Sequence, residues 1–206
     1  YNLPEILTHI RHSEKVLVMR VFIAVLVLIF SLQSLTKADD ISDFEIEGMS
    51  IGDSLLNFIN ETIIKNHKKY FYPASKKYYR IDVHNFDDKF SEYDAVSFHF
   101  KNNDEKYIIT SISGRIAFND ELEKCMNQKK KIIKDIKLVT KLLNEDAYEF
   151  TYPQLKDGKA YVSEFIAEDG AFKLWCTKFS KEDIEKNNAQ EGLSVTISSK
   201  EHLTFL

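Results

Sequence analysis

The residues whose types and spacing could do chemistry crowd into one short stretch. Gly48-Met49-Ser50-Ile51-Gly52 has the spacing of a serine held at the tip of a strand-to-helix turn, where a hydroxyl can act as a nucleophile. Gly52-Asp53-Ser54-Leu55 offers a second serine, Ser54, for the same role. Either would need a histidine to take its proton and an acid to orient that histidine. The histidines that follow are His67, His84, His99 and His202, and nothing in the sequence places an acid beside any of them. The same stretch also reads as a helix start. Ser50 is a good N-cap, Asp53 stands three residues on, and apolar residues recur at 51, 55, 58, 59 and 63. That spacing predicts a helix over 51–66, on which Ser54 lies off the apolar stripe with no assigned partner.

Other chemistries leave fewer marks. The histidines beyond residue 38 are scattered, with no Cys-x-x-Cys or His-x-x-x-His, so no metal site is expected. A phosphate-binding glycine loop is also missing, and no cofactor is expected. One locally cationic, aromatic segment is a candidate contact surface: Lys68, Lys69, Tyr70, Tyr72, Lys76, Lys77 and Arg80. It could meet a polyanion, a glycan or a membrane face. It could equally be the approach to a strand, with tyrosine rings packed inward and lysine stems laid over them.

These elements must be placed in a compartment before they can be placed in a fold. The first methionine is Met19. Met19-Arg20, the apolar run Val21–Phe30 and Thr36-Lys37-Ala38 together have the form of a secretory signal peptide cleaved after Ala38. Residues 1–18 then read as an upstream segment that need not be translated. The apolar run is shorter than a membrane span needs, although an uncleaved N-terminal anchor is the competing reading. The expected location is the periplasm or the exterior, with no stable span after cleavage. Removing 38 of 206 residues leaves 168, enough for one domain with a core. The chain carries −4 and residues 1–38 carry +2, so the mature part carries −6. That balance argues against nucleic acid as a partner, since phosphate binding needs a dominant basic face. An unknown protein or envelope component is the expected partner.

Two cysteines remain, Cys125 and Cys176. An even count in an oxidising compartment predicts a disulfide between them. Two buried free thiols, or a reactive Cys125, are the alternatives.

The rest of the chain reads as strands with two further helices. Alternation marks strands at 44–47, 78–83, 95–100, 107–113 continuing to 118, 148–152 and 193–198. Asp169-Gly170 joins 160–167 to 171–179 in the strongest hairpin signal of the chain. Asn119-Asp120 caps a long helix over 121–143, whose apolar stripe includes Cys125, with Lys129-Lys130-Lys131 on its solvated outer face. Ser180 caps a short helix to 187, and the chain ends in a frayed tail containing His202. The fold class is therefore α+β. An antiparallel sheet is packed by an N-terminal helix (51–66) and a long central helix (121–143), in two loosely equivalent helix-plus-three-strand halves.

Three resemblances attach to the opening stretch. Gly52-Asp53-Ser54-Leu55 resembles the first block of the G-D-S-L serine hydrolases, which implies a periplasmic hydrolase using Ser54. The later blocks of that family, a Gly-x-Asn-Asp-like segment and an Asp-x-x-His, do not occur, and Asp82-Val83-His84 has a different spacing. Ile46-Glu47-Gly48-Met49-Ser50-Ile51-Gly52-Asp53-Ser54-Leu55-Leu56 looks like the opening of small, uncharacterised exported bacterial proteins. Gly48-Met49-Ser50 followed by an apolar helix and a sheet also resembles the small lipoprotein module of outer-membrane assembly and the β-lactamase-inhibitor-like fold. That likeness implies a periplasmic interaction module. With no complete catalytic set in view, the functional expectation is an exported, non-catalytic binding or envelope-associated module. The hydrolase is its alternative.

Overall fold

The computed structural model describes residues 40–72, 75–84, 90–155, 157–187 and 189–205. These belong to one compact unit, Ala38–Leu206. The segments read as upstream sequence and signal peptide, with the Ala38 cleavage site, lie outside the described residues.

The expected α+β class holds, with strands in the majority. A two-residue hairpin, β1 (Glu45–Ile46) and β2 (Met49–Ser50), is followed by helix α1 (Glu61–Asn66). Then come β3 (Tyr70–Tyr72), β4 (Ser75–His84), β5 (Ala95–Lys101) and β6 (Ser111–Ala117). Helix α2 (Leu122–Val139) leads to β7 (Asn144–Thr151), β8 (Lys159–Ile166) and β9 (Gly170–Lys178). Helix α3 (Lys181–Asn187), β10 (Gly192–Ser199) and a last turn of helix, α4 (Lys200–Leu203), complete the chain.

The two halves read from the sequence are one sheet. Its strand order is β3-β4-β5-β6-β10-β9-β8-β7, antiparallel throughout. The last strand joins the halves, because β10 hydrogen-bonds to β6 on one side and β9 on the other. A pairing between strands so distant in sequence leaves no local mark.

Alternation sorts the side chains onto two faces. One face carries Tyr79, Ile81, Val96, Phe98, Ile112, Leu174, Cys176, Leu193, Val195 and Ile197, all buried. The N-terminal segment and α2 cover it, with Phe44 packed edge-on to Phe172 at 4.6 Å between ring centroids. The predicted bridge lies here. Cys125 on α2 is bonded to Cys176 on β9, with the Cα atoms 6.0 Å apart and a sequence separation of 51.

The predicted helix over 51–66 is not formed as such. Gly52 adopts φ +93°, outside the helical region. The backbone on either side pairs with 107–109 instead: Gly52 N–H donates to Ile109 O, Ile109 N–H to Asp53 O, and Leu55 N–H to Tyr107 O. Only a single 3-10 turn (Leu55–Asn57) and the short α1, capped by Asn60, are helical. Ser50 is therefore a strand residue, although its N–H still donates to Asp53 Oδ2 at 2.9 Å. The same pairing explains why the strand expected from 107 begins at Ser111. Three further readings are corrected. The N-cap of α2 is Glu121, not Asn119-Asp120, and the helix ends at Val139. Lys129 is not on the solvated face: it is 5% exposed, and its Nζ donates to Tyr161 O at 2.7 Å. His202 is not in a frayed tail but on α4, 1% exposed.

A cavity on the polar face of the sheet

The opposite face of the sheet forms a concavity of about 780 Å³, and all eight strands contribute to its lining. Eight strands laid flat would span roughly 30 Å or more at about 4.8 Å per strand. One cavity touched by both edge strands therefore requires the sheet to curl, in keeping with the inherent twist of strands.

Register sets the lining out in rows across the sheet. The central row runs Asp82, Ser97, Ser113, Thr196, Lys173, Glu164. On one side of it lies Arg80, His99, Ser111, Ser198, Ala171, Ile166. On the other lies His84, Ala95, Arg115, Ser194, Trp175, Val162, Tyr148. The cavity thus has a polar end under β4 to β6 and β10. Its aromatic and aliphatic end lies under β7 to β9, where Trp175, Tyr148, Phe150 and Tyr152 stand with Val162 and Ile166.

At the polar end the groups satisfy one another. Ser113 bonds to Thr196, and Ser111 Oγ lies 2.7 Å from Ser198 Oγ. Ser97 Oγ donates to Asp82 Oδ1 at 2.6 Å, while Arg80 Nη2 donates to Asp82 Oδ2 at 3.0 Å. Arg80 Nε is 2.9 Å from Asp82 Oδ1 but lacks the alignment of a hydrogen bond. Across the sheet, Lys173 pairs with Glu164 at 2.6 Å and reaches Tyr148 Oη at 3.3 Å.

Two histidines at this end are locked in one closed ring of hydrogen bonds. Thr110 Oγ1 donates its one proton to His99 O at 2.9 Å. It must therefore accept from His202 Nδ1, 3.2 Å away, which fixes the proton of neutral His202 on Nδ1. His202 Nε2 then accepts from Tyr72 Oη at 3.0 Å, and Tyr72 accepts from His99 Nδ1–H at 2.6 Å. Burial holds both rings neutral. It lowers His99 to about 3, helped by neighbouring His202 and Arg80, and lowers His202 to about 4. Among the described residues, His99 Nε2 has no hydrogen-bond partner.

The residues singled out in the sequence fall in different places. Ser54 is remote from this cavity's lining: its hydroxyl donates to Lys106 O at 2.6 Å, and its backbone bridges Ile108. The cationic aromatic segment divides. Tyr72 and Arg80 line the cavity. Lys68 and Lys69 sit over the rings of Tyr70 and Tyr79 at 4.9 and 4.5 Å, and Lys77 over Tyr78 at 5.3 Å, while Lys76 is exposed. Arg80 also stacks on Tyr70, at 5.2 Å. His99, His202, Arg115 and Trp175 carry the cavity and were not singled out as site residues from the sequence. Their one signal was alternation, as in Ser111-x-Ser113-x-Arg115 and Ser194-x-Thr196-x-Ser198, which reads equally well as a face turned to solvent. Among the described residues no group of three or more His, Cys, Asp or Glu could hold a metal, and no helix is long and apolar enough to cross a membrane.

No protein-family model matches the chain, and neither a curated protein nor a solved structure matches it with significance.

Proposed function

We propose that the protein is an exported, non-catalytic binding module that holds a small molecule on the curled polar face of its sheet. The observation that carries this reading is one continuous cavity of about 780 Å³ to which all eight strands contribute. That volume lies within the range of drug-sized ligand sites, which combine apolar walls with a few placed polar groups. The hydroxyls at its polar end already bond to one another, which favours a preformed, rigid receptor over a reacting centre. The Cys125–Cys176 bridge fits an oxidising compartment. Together with the leader-like Met19–Ala38, it supports export to the periplasm or the exterior, with Asp39 as the mature N-terminus.

Native mass spectrometry of protein purified under mild conditions from its own envelope or medium tests this reading. The expected result is a small-molecule adduct lost on denaturation, on a chain whose first residue is Asp39. Fluorophosphonate labelling abolished by Ser54→Ala would instead establish the hydrolase.

A further inference from the structure

The charges of the lining do not cancel, and the surplus indicates what the cavity takes. Arg80 is paired with Asp82, and Lys173 with Glu164. His99 and His202 are held in their neutral ring. That leaves Arg115, on the central strand β6, as the charged lining residue with no ion pair among the described residues. One of its five donors, on Nη2, is given to the Gln190 carbonyl. The loop carrying Gln190 is pinned by the next residue. Glu191, 3% exposed, accepts from the backbone N–H groups of Asp120 and Phe179 and pairs with Lys178. The guanidinium is thus fixed in place with donors left over.

The row through Arg115 continues through Ser194 to Trp175 and on to Val162 and Tyr148. Trp175 is two strands from Arg115, about 10 Å along the sheet. A group held by Arg115 would therefore present its body to an aromatic wall, completed by Phe150 and Tyr152 with ring centroids 5.1 Å apart. A neutral polyhydroxylated ligand such as a sugar fits less well, because the hydroxyl rows that would read it are occupied with each other.

Resting on the reading of the cavity as a ligand site, we infer that its ligand is an amphipathic organic anion. A carboxylate would be forked by Arg115, and an aromatic or extended aliphatic body would lie on Trp175 and the β7 edge. Two N–H donors in a fixed fork match the two oxygens of a carboxylate, which an ammonium or a hydroxyl would not do as well.

Trp175 is the only tryptophan of the chain, so the molecule carries its own reporter. The full chain with its disulfide intact would be titrated with naphthalene-2-carboxylate and its neutral analogue naphthalene-2-methanol, and with decanoate and decanol, following Trp175 fluorescence. Each anion is expected to bind about 10- to 100-fold tighter than its alcohol, the size of a charge-assisted hydrogen-bond pair. Arg115→Gln is expected to erase that ratio while the alcohols bind as before. Arg115→Lys, which keeps the charge without the fork, is expected to retain only part of it. Equal binding of acid and alcohol by the wild-type chain would overturn the inference and leave the cavity's role as a ligand site intact, as would an anion preference surviving in Arg115→Gln. If neither member of either pair perturbs Trp175, the inference and the binding reading both fall. Should the glutamine variant not fold, the wild-type pairs still decide.

Discussion

The two faces of the eight-stranded sheet come from the same strands, one residue out of step, yet they hold matter in different ways. The face under α2 is closed by volume: Phe98, Ile112, Leu174 and Leu193 are fully buried, and one disulfide fastens the covering helix to the sheet. The cavity face is held by pairing. Its hydroxyls, ion pairs and neutral histidines bond to one another and leave the space above them open. Close-packed apolar contact supplies stability in proportion to area, whereas internally paired polar groups contribute little net stability and fix geometry. The first face should therefore carry the folding free energy and the second the recognition.

That contrast can be broken most directly on the filled face. Phe98→Ala is expected to cost about 3 to 5 kcal/mol in urea unfolding, since it removes a fully buried ring at the centre of the sheet. A cost below about 1 kcal/mol would mean that stability does not reside there. Replacing both cysteines, as Cys125→Ala/Cys176→Ala, is expected to cost up to about 4 kcal/mol from restored freedom of the 51-residue loop in the unfolded chain. Reduction of the wild-type protein should give a similar loss.

The cavity face should show itself through pH. His99 and His202 have folded values lowered to about 3 and about 4 from 6.5, so the unfolded chain binds more protons than the fold between those limits. Stability should therefore be full above about pH 6.5 and fall as the pH drops below it. Each histidine should contribute up to about 1.4 kcal/mol per pH unit, on an order-of-magnitude scale. Urea midpoints at pH 7.5, 6 and 5 would reveal the fall, and His99→Gln/His202→Gln should flatten it. A wild-type midpoint that stays level over this range would show that the ring Tyr72–His202–Thr110–His99 is open to water. The smallest effect belongs to Ser113→Ala, expected to change stability by no more than about 1 kcal/mol, because Thr196 can then bond to water in the open cavity. A loss as large as that of Phe98→Ala would erase the distinction between the two faces.

How much of this was legible depended on how local each cause was. The strands at 95–101 and 159–178 announce themselves by alternation and by Asp169-Gly170, and the structure places them within a residue or two. The bridge followed from the even cysteine count and the leader-like pattern of Met19–Ala38. Lys129 was readable in principle: it lies four residues from both Cys125 and Ile133 and so falls on the buried stripe of α2. Chemical type, a lysine in a run of three, outweighed position. The segment at 51–66 failed for a different reason. Its apolar spacing and its capping pair are those of a helix, but the competing partner, 107–109, is more than fifty residues away. Local propensity is a weak term beside several backbone hydrogen bonds and a buried Leu55. The cavity was the least legible part, because polar residues facing a cavity and polar residues facing bulk water alternate in the same way.

By itself, the sequence determined the α+β class, the main strands and helix α2 to within a few residues, and the pairing of the two cysteines. Each depends on neighbours along the chain or on simple counting. Only the tertiary structure decided that β10 unites two halves into one sheet, that the sheet curls, and that Tyr72, His99 and His202 meet in one ring. It alone also placed Arg115 and Trp175 in a single row. Those outcomes rest on contacts between residues up to 130 positions apart, and the sequence pattern of either partner carries no trace of the other.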